Sequence, residues 1–162
     1  MTTTRYHRDM MAPFGPLRIV AAHEAITAIH FEHDRDASDS EPAKRHELLD
    51  AAESQLNEYL EGKRHVFDMP LRPNGTEFQR AVYRELLTIA FGETRSYSDI
   101  ARAVGRPDAV RAVGAANGRN PIAIVIPCHR VIGKNGSLTG YGGGIETKRW
   151  LLDLEMPSLF RG

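Results

Sequence analysis

Ser96-Tyr97-Ser98-Asp99-Ile100-Ala101-Arg102-Ala103-Val104-Gly105-Arg106-Pro107-Asp108-Ala109-Val110-Arg111-Ala112-Val113-Gly114-Ala115-Ala116-Asn117 is the stretch on which the fold turns. Ser96, with an acidic residue three positions later, opens a short helix over 97–104. Gly105-Arg106-Pro107 breaks it, and residues 108–117 can form the next helix. Two short helices joined by a three-residue turn that contains glycine make a helix-turn-helix.

Working outward, Thr76 and Gln79 form another capping pair ahead of an apolar stripe of Phe78, Val82, Leu86 and Ile89. Downstream, Ile122-Ala123-Ile124-Val125-Ile126 predicts a buried strand or extended segment. A glycine-rich loop from Gly133 to Gly144 leads to a last helix, Glu146 to Glu155.

The first half has a different texture. Leu17–Ala22 and Ala25–Phe31 read as strands, and His23-Glu24 between them suits a hairpin. The polar run Glu32–Glu41 predicts a loop. A helix follows Pro42, with Leu49, Ala52, Leu56 and Leu60 at helical spacing and Gly62 as its stop. Val66–Met69 suggests a further strand. Pro70 to Gly75 contains the turn cluster Pro73-Asn74-Gly75 and marks a boundary. The expected organisation is therefore α+β in two parts. Residues 1–72 form a small structural sheet-plus-helix domain. Residues 73–162 form a mostly helical, winged-helix-like domain that carries the chemistry.

Composition narrows the function. Of 162 residues, 41% are hydrophobic and 26% charged, which describes an ordinary globular chain. No apolar run approaches the roughly 18–20 residues that span a bilayer, and the first residues lack a secretory pattern, so a cytoplasmic address and no membrane partner are expected. One cysteine excludes an internal disulfide and a Cys-paired zinc site. Six of the seven histidines are scattered over the first 65 residues without ligand spacing. Neither metal nor cofactor is implied. The formal net charge is zero, but residues 1–74 hold 9 Lys+Arg against 13 Asp+Glu, and residues 75–162 hold 12 against 8. A polyanion would prefer the second half.

Cys128 stands in Pro127-Cys128-His129-Arg130. With a free pKa near 8.5, only about 3% of such a thiol is thiolate at pH 7. His129 offers a proton acceptor and Arg130 a positive field; the alternative is a small buried hydrophobe. Adjacent residues do not face each other on a strand or helix, so a turn or a bridging water is required for His129 to act on Cys128. Glu155 shares a helix face with Leu151 and Leu154, either as the partner that orients His129 or as a solvated helix end. Arg111 is the one long polar side chain among small residues, which lets its helix approach a neighbouring helix or the floor of a DNA groove. Asn120, in the turn Asn117-Gly118-Arg119-Asn120-Pro121, could brace the backbone there.

These stretches resemble the methylated-DNA–protein-cysteine methyltransferase family, also called O6-alkylguanine-DNA alkyltransferases. The resemblance is carried by Gly75-Thr76-Glu77-Phe78-Gln79, Ser96-Tyr97, Arg111-Ala112-Val113-Gly114, Asn120-Pro121-Ile122, Ile126-Pro127-Cys128-His129-Arg130-Val131-Ile132-Gly133 and Gly140-Tyr141-Gly142-Gly143. It implies that Cys128 accepts the alkyl group, that His129 is its base through a water, and that Glu155 completes the relay. Asn120 would hold the turn before the active-site segment. Arg111 would enter the duplex from the minor groove as a finger, with Ala112, Gly114 and Arg130 also on the DNA side. Tyr97 would crowd the target phosphate and donate to guanine N3. The carbonyls of Cys128 and Val131 would accept from the exocyclic amine, the N–H of Gly142 would donate to O6, and Tyr141 would lie against the base.

The implied partner is double-stranded DNA carrying O6-alkylguanine, met by a chain expected to be monomeric in solution, with cooperativity on DNA left open. Gly142 stands where many relatives have serine, and Tyr83 where a tryptophan is common. Three other classes fit less well. Alkyltransferase-like lesion binders lack the acceptor cysteine. A helix-turn-helix regulator would offer several base-reading side chains. A cysteine hydrolase needs a distal histidine.

Overall fold

The computed structural model describes residues 3–32 and 40–157. The chain divides into two compact units, Met1–Asn74 with Pro121–Ala123, and Gly75–Asn120 with Ile124–Gly162. The break falls two residues beyond the expected boundary, and three residues of the second half return to the first unit.

The first unit is a four-stranded sheet with one helix. Its strands are β1 (Tyr6–Ala12), β2 (Gly15–Ala22), β3 (Ala25–Phe31) and β4 (Glu41–Pro42), in the order β3-β2-β1-β4. β1 and β2, and β2 and β3, are antiparallel, while β4 runs parallel to β1. The β2–β3 turn is the expected hairpin, with His23 and Glu24 both at positive φ (52° and 61°), the backbone that suits the twist of the flanking strands. Strand β1 has no obvious hydrophobic pattern because its polar residues are paired. Asp9 lies opposite Arg18 of β2 and accepts from it at 2.7 and 3.0 Å. Arg8 pairs with Asp50 and Glu53.

Helix α1 (Glu47–Leu60) buries Leu49, Ala52, Leu56 and Tyr59, so Tyr59 rather than Leu60 completes the core stripe. The expected strand at Val66–Met69 does not form. Gln55 holds the Asp68 backbone through both its amide groups at 2.8 Å, and the pairing to β3 comes later, where Leu71 bridges Ile26. The loop expected over Glu32–Glu41 lies mostly outside the described residues.

The second unit holds α2 (Glu77–Leu86), β5 (Arg95–Ser96), α3 (Tyr97–Ala103), α4 (Val110–Gly118), a 3-10 turn (Cys128–Arg130), β6 (Val131–Ile132) and α5 (Ile145–Glu155). Both expected capping boxes are present, Thr76 with Gln79 and Ser96 with Asp99. Gly105 at φ 78° ends α3 and permits the turn to α4. Helices α2, α3 and α4 pack on one another, around Val82, Tyr83, Leu86, Ile100, Ala101, Val113 and Ala116. Parallel pairing of β5 with β6 sets Ser96 opposite Ile132. That register brings the start of α3 alongside the segment that follows the cysteine.

The extended segment expected over Ile122–Ile126 is a correction. Its residues are buried, but only Ile122 makes a β-bridge, to Ile29 within the first unit. The chain then turns through Ala123–Val125, with Ile124 at φ 73°, a left-handed conformation that a β-branched residue adopts at a cost. Hydrophobicity marked the segment as buried, but it does not distinguish a strand from a buried turn. Among the described residues no helix is long and apolar enough to cross a membrane.

Thr76 is exposed and contributes to the fold through its cap alone. Thr76→Ala should therefore lower unfolding free energy by about 1 kcal/mol, read from the urea midpoint at an unchanged m-value.

Candidate active site

The cysteine sits on two consecutive tight turns. Pro127 has φ −82° and ψ 64°, and the Cys128 N–H donates to the Ile126 carbonyl at 2.8 Å, which is an inverse γ-turn. Arg130 N–H then donates to the Pro127 carbonyl at 3.0 Å, closing the 3-10 turn. Asn120 braces this geometry by donating to the Ile126 carbonyl at 2.8 Å. Asn117, on the inner face of α4, donates to the Cys128 carbonyl at 3.3 Å. The turn demanded by the adjacency of Cys128 and His129 is present.

His129 is fully buried and its Nε2 lies 2.7 Å from Glu155 Oε2. A carboxylate only accepts, so Nε2 carries the proton, and in the neutral ring Nδ1 is the acceptor. Burial pushes the His129 pKa down, and the charges of Arg130 and Lys148 act the same way. Glu155 opposes them. The ring is therefore a neutral base at pH 7. Burial also pushes the Cys128 thiol up, against a hydrogen bond from Asn120 and the Lys148 charge. The resting sulfur is a thiol, and a base is required to make it a nucleophile.

Glu155 is held at about 2: its burial acts to raise the pKa, but the hydrogen bonds and charges of His129 and Arg130 outweigh it. Arg130, expected on the DNA side, points inward. It is 6% exposed, and its guanidinium forks onto Glu155 at 2.8 and 3.0 Å while donating to the Ile89 carbonyl at 2.6 Å. Three of its N–H groups are thus committed to partners inside the second unit. The sequence showed a positive residue beside the cysteine, but not which way it pointed.

The other expected residues fall into two groups. Tyr97 opens α3, and its hydroxyl accepts from Thr139 Oγ1 at 3.0 Å. The Val131 carbonyl accepts from Lys148 Nζ at 2.7 Å and keeps a second lone pair. The Cys128 carbonyl accepts from both Asn117 and the Val131 N–H. In the loop, Tyr141 is half-buried and Gly142 exposed. On α4, Arg111 and Ala112 are exposed and Gly114 is half-buried, while Val113, Ala116 and Asn117 face inward.

Two residues escaped the sequence reading. Asn117 reads in the sequence only as part of a turn. Lys148 stands seven residues before Glu155 on the same helical stripe, and that spacing was the signal that could have found it. Among the described residues no group of three His, Cys, Asp or Glu could hold a metal ion.

Comparison with known proteins bears on both units. The family model described as 6-O-methylguanine DNA methyltransferase, DNA binding domain, matches residues 77–157. The model described as 6-O-methylguanine DNA methyltransferase, ribonuclease-like domain, matches residues 5–73. A methylated-DNA–protein-cysteine methyltransferase of Mycobacterium tuberculosis is 47% identical over 155 residues, covering 93% of this chain and 92% of the relative. A protein of the same name from Methanosarcina acetivorans is 43% identical over 152 residues, covering 93% and 97%. The crystal structure of Mycobacterium tuberculosis OGT in complex with DNA superposes with a TM-score of 0.87 at 47% identity, covering 94% of this chain and 93% of that one.

The ionised Glu155 has a consequence for stability. Its folded pKa lies below the unfolded value of about 4.3, so its contribution is complete above that pH and is lost as pH falls toward 2. Glu155→Gln leaves the Arg130 charge buried without its counter-ion and should cost roughly 3–5 kcal/mol at pH 7. The gap between wild type and variant should narrow in urea unfolding at about pH 3. A gap that does not change with pH would show that the carboxylate is not ionised in the folded chain.

Proposed function

The chain belongs to the 6-O-methylguanine DNA methyltransferase family, and from that premise we propose that Cys128 is the atom-accepting residue of a single-turnover repair reaction. The observation that carries the reading is the buried Cys128 turn with the His129–Glu155 hydrogen bond beside it. The substrate is O6-alkylguanine in double-stranded DNA. The helix-turn-helix of α3 and α4 approaches the duplex through the minor groove, where the small residues Ala112 and Gly114 allow close contact. The damaged nucleotide leaves the stack at a cost of a few kcal/mol, and Arg111 fills the gap.

His129 Nδ1 takes the thiol proton through a water, and Glu155 stabilises the imidazolium that results. Sulfur attacks the alkyl carbon, the S–C bond forms and the C–O6 bond breaks, with its electron pair staying on guanine. Tyr97 donates to N3 and the Gly142 N–H to O6, where that charge develops. Val131 accepts from the exocyclic amine and Tyr141 packs on the ring. The proton taken from sulfur balances the departing guanine, which re-forms as the neutral base. Asn120 acts earlier, by holding the turn that aims the sulfur. The product is a thioether, and no group of the site can cleave it, so one chain repairs one lesion.

Mixed with a duplex containing O6-methylguanine, the wild-type protein should gain the mass of one methyl group per chain, and Cys128→Ser should gain none. Repeated turnover, or release of the methyl group as methanol, would refute the acceptor role. Arg111→Ala should slow transfer from the duplex about tenfold or more, an effect of about 1.4 kcal/mol, while transfer from the free modified base stays near wild type. Equal slowing on both substrates would remove the finger role.

A further inference from the structure

Lys148 is the one fully buried lysine among the described residues, and the reaction outlined above makes no use of it. Its position is unfavourable on two counts. A buried ammonium loses its hydration, and this one lies in the first turn of α5, where the helix dipole repels positive charge. Gly144, which begins that helix, supplies no side-chain cap.

Partners offset the cost. Nζ donates to the Val131 carbonyl at 2.7 Å and to the Thr139 carbonyl at 2.9 Å. It lies 5.9 Å from the centre of the Tyr97 ring, within cation–π range. Tyr97 in turn is bonded through its hydroxyl to Thr139 Oγ1 at 3.0 Å. One ammonium thus ties together β6, the glycine-rich loop and the start of α3. The titratable ring facing it is that of Tyr97 from α3, and its charge acts on Cys128 and His129 of the 3-10 turn.

Resting on the function proposed above, we propose that Lys148 is a positioning residue of the transfer site, whose ammonium holds Val131, Tyr97 and the glycine-rich loop together as the wall that meets the purine. Two arrangements support this. The groups it holds, Val131, Tyr97 and the glycine-rich loop, are those assigned to base contact. Its charge and the sulfur also act on each other: the ammonium lowers the Cys128 pKa, and the sulfur raises that of Lys148. Burial nevertheless leaves Lys148 near 8, so the stabilising charge is present below that pH and fades above it. Polarising the Val131 carbonyl also aligns its remaining lone pair for a donor on the ligand.

The single cysteine makes the test direct, because thiolate absorbance in the ultraviolet reports one sulfur. Lys148→Met removes charge and donors, whereas Lys148→Gln keeps a hydrogen-bond donor without charge. Both should raise the apparent pKa of Cys128 by about one unit and slow methyl transfer at pH 7 about tenfold. The pH–rate profile should move to higher pH, and the melting temperature of Lys148→Gln should stay close to wild type. A Lys148→Gln protein with the wild-type thiol titration and rate would overturn the proposal and leave Lys148 a structural staple.

Should neither variant fold, the reciprocal measurement applies. The Lys148 Nζ titration, followed by NMR, should move to lower pH in Cys128→Ser than in wild type, and an unchanged titration overturns the coupling. Failure of wild type to accept a methyl group would instead sink the proposed function, and the thiol titration is read independently of it.

Discussion

A carboxylate with almost no access to solvent cannot remain ionised unless its environment replaces the lost water. Glu155 meets that condition through four donors, from His129, the two arms of Arg130 and the Gly92 N–H. This cluster is the constraint on which the second unit depends. It joins the end of α5 to the cysteine turn, to the segment after α2 through Gly92, and to the Ile89 carbonyl through Arg130. Removing Glu155 or Arg130 strands the buried charge of the other, so the pair is stabilising only as a whole. The same carboxylate fixes which nitrogen of His129 bears a proton. Structural and chemical roles therefore fall on one side chain, and they are difficult to separate by substitution there.

The electrostatics around the sulfur are arranged as a balance. Burial favours the thiol, whereas Asn120 and Lys148 favour the thiolate. Burial equally keeps His129 neutral and so able to accept. Burial thus leaves the thiol and the imidazole both uncharged at rest, beside the ionised Glu155–Arg130 pair.

Much of this was legible in the amino-acid order where local physics decides the outcome. The capping pairs at Thr76 and Ser96, the stop at Gly105, the hairpin at His23-Glu24 and the stripe on α1 are all short-range effects. The misreadings are long-range. Strand β1 is polar and is stabilised by Arg18, Asp50 and Glu53 from elsewhere in its unit. Ile122–Ile126 is buried as its hydrophobicity implies, but only Ile122 pairs, with Ile29 far away in sequence, before the chain turns at Ile124. Arg130 and Lys148 are the sharper cases. Both are long cations that sequence alone places on a surface, and both are internal because their partners lie 25 and 41 residues away for Arg130, and 9 and 17 for Lys148. Charge in a sequence gives the sign of a residue but not its direction.

Helix α4 shows how the two kinds of information combine. Its outward residues, Arg111 and Ala112, carry the features that pointed to a duplex, while its inward residue Asn117 holds the carbonyl of the cysteine. Residues 111 and 117 are six apart, about 240° around a helix of 3.6 residues per turn, so Arg111 faces out while Asn117 faces inward, to the Cys128 carbonyl. A rigid nine-residue helix therefore connects the surface that would meet DNA with the backbone of the nucleophile. Any displacement of that helix by a ligand must be felt at the Cys128 carbonyl, because a hydrogen bond of 3.3 Å has little length to yield before it is lost. The exposed face of α4 and the cysteine turn are thus joined through the Asn117 hydrogen bond.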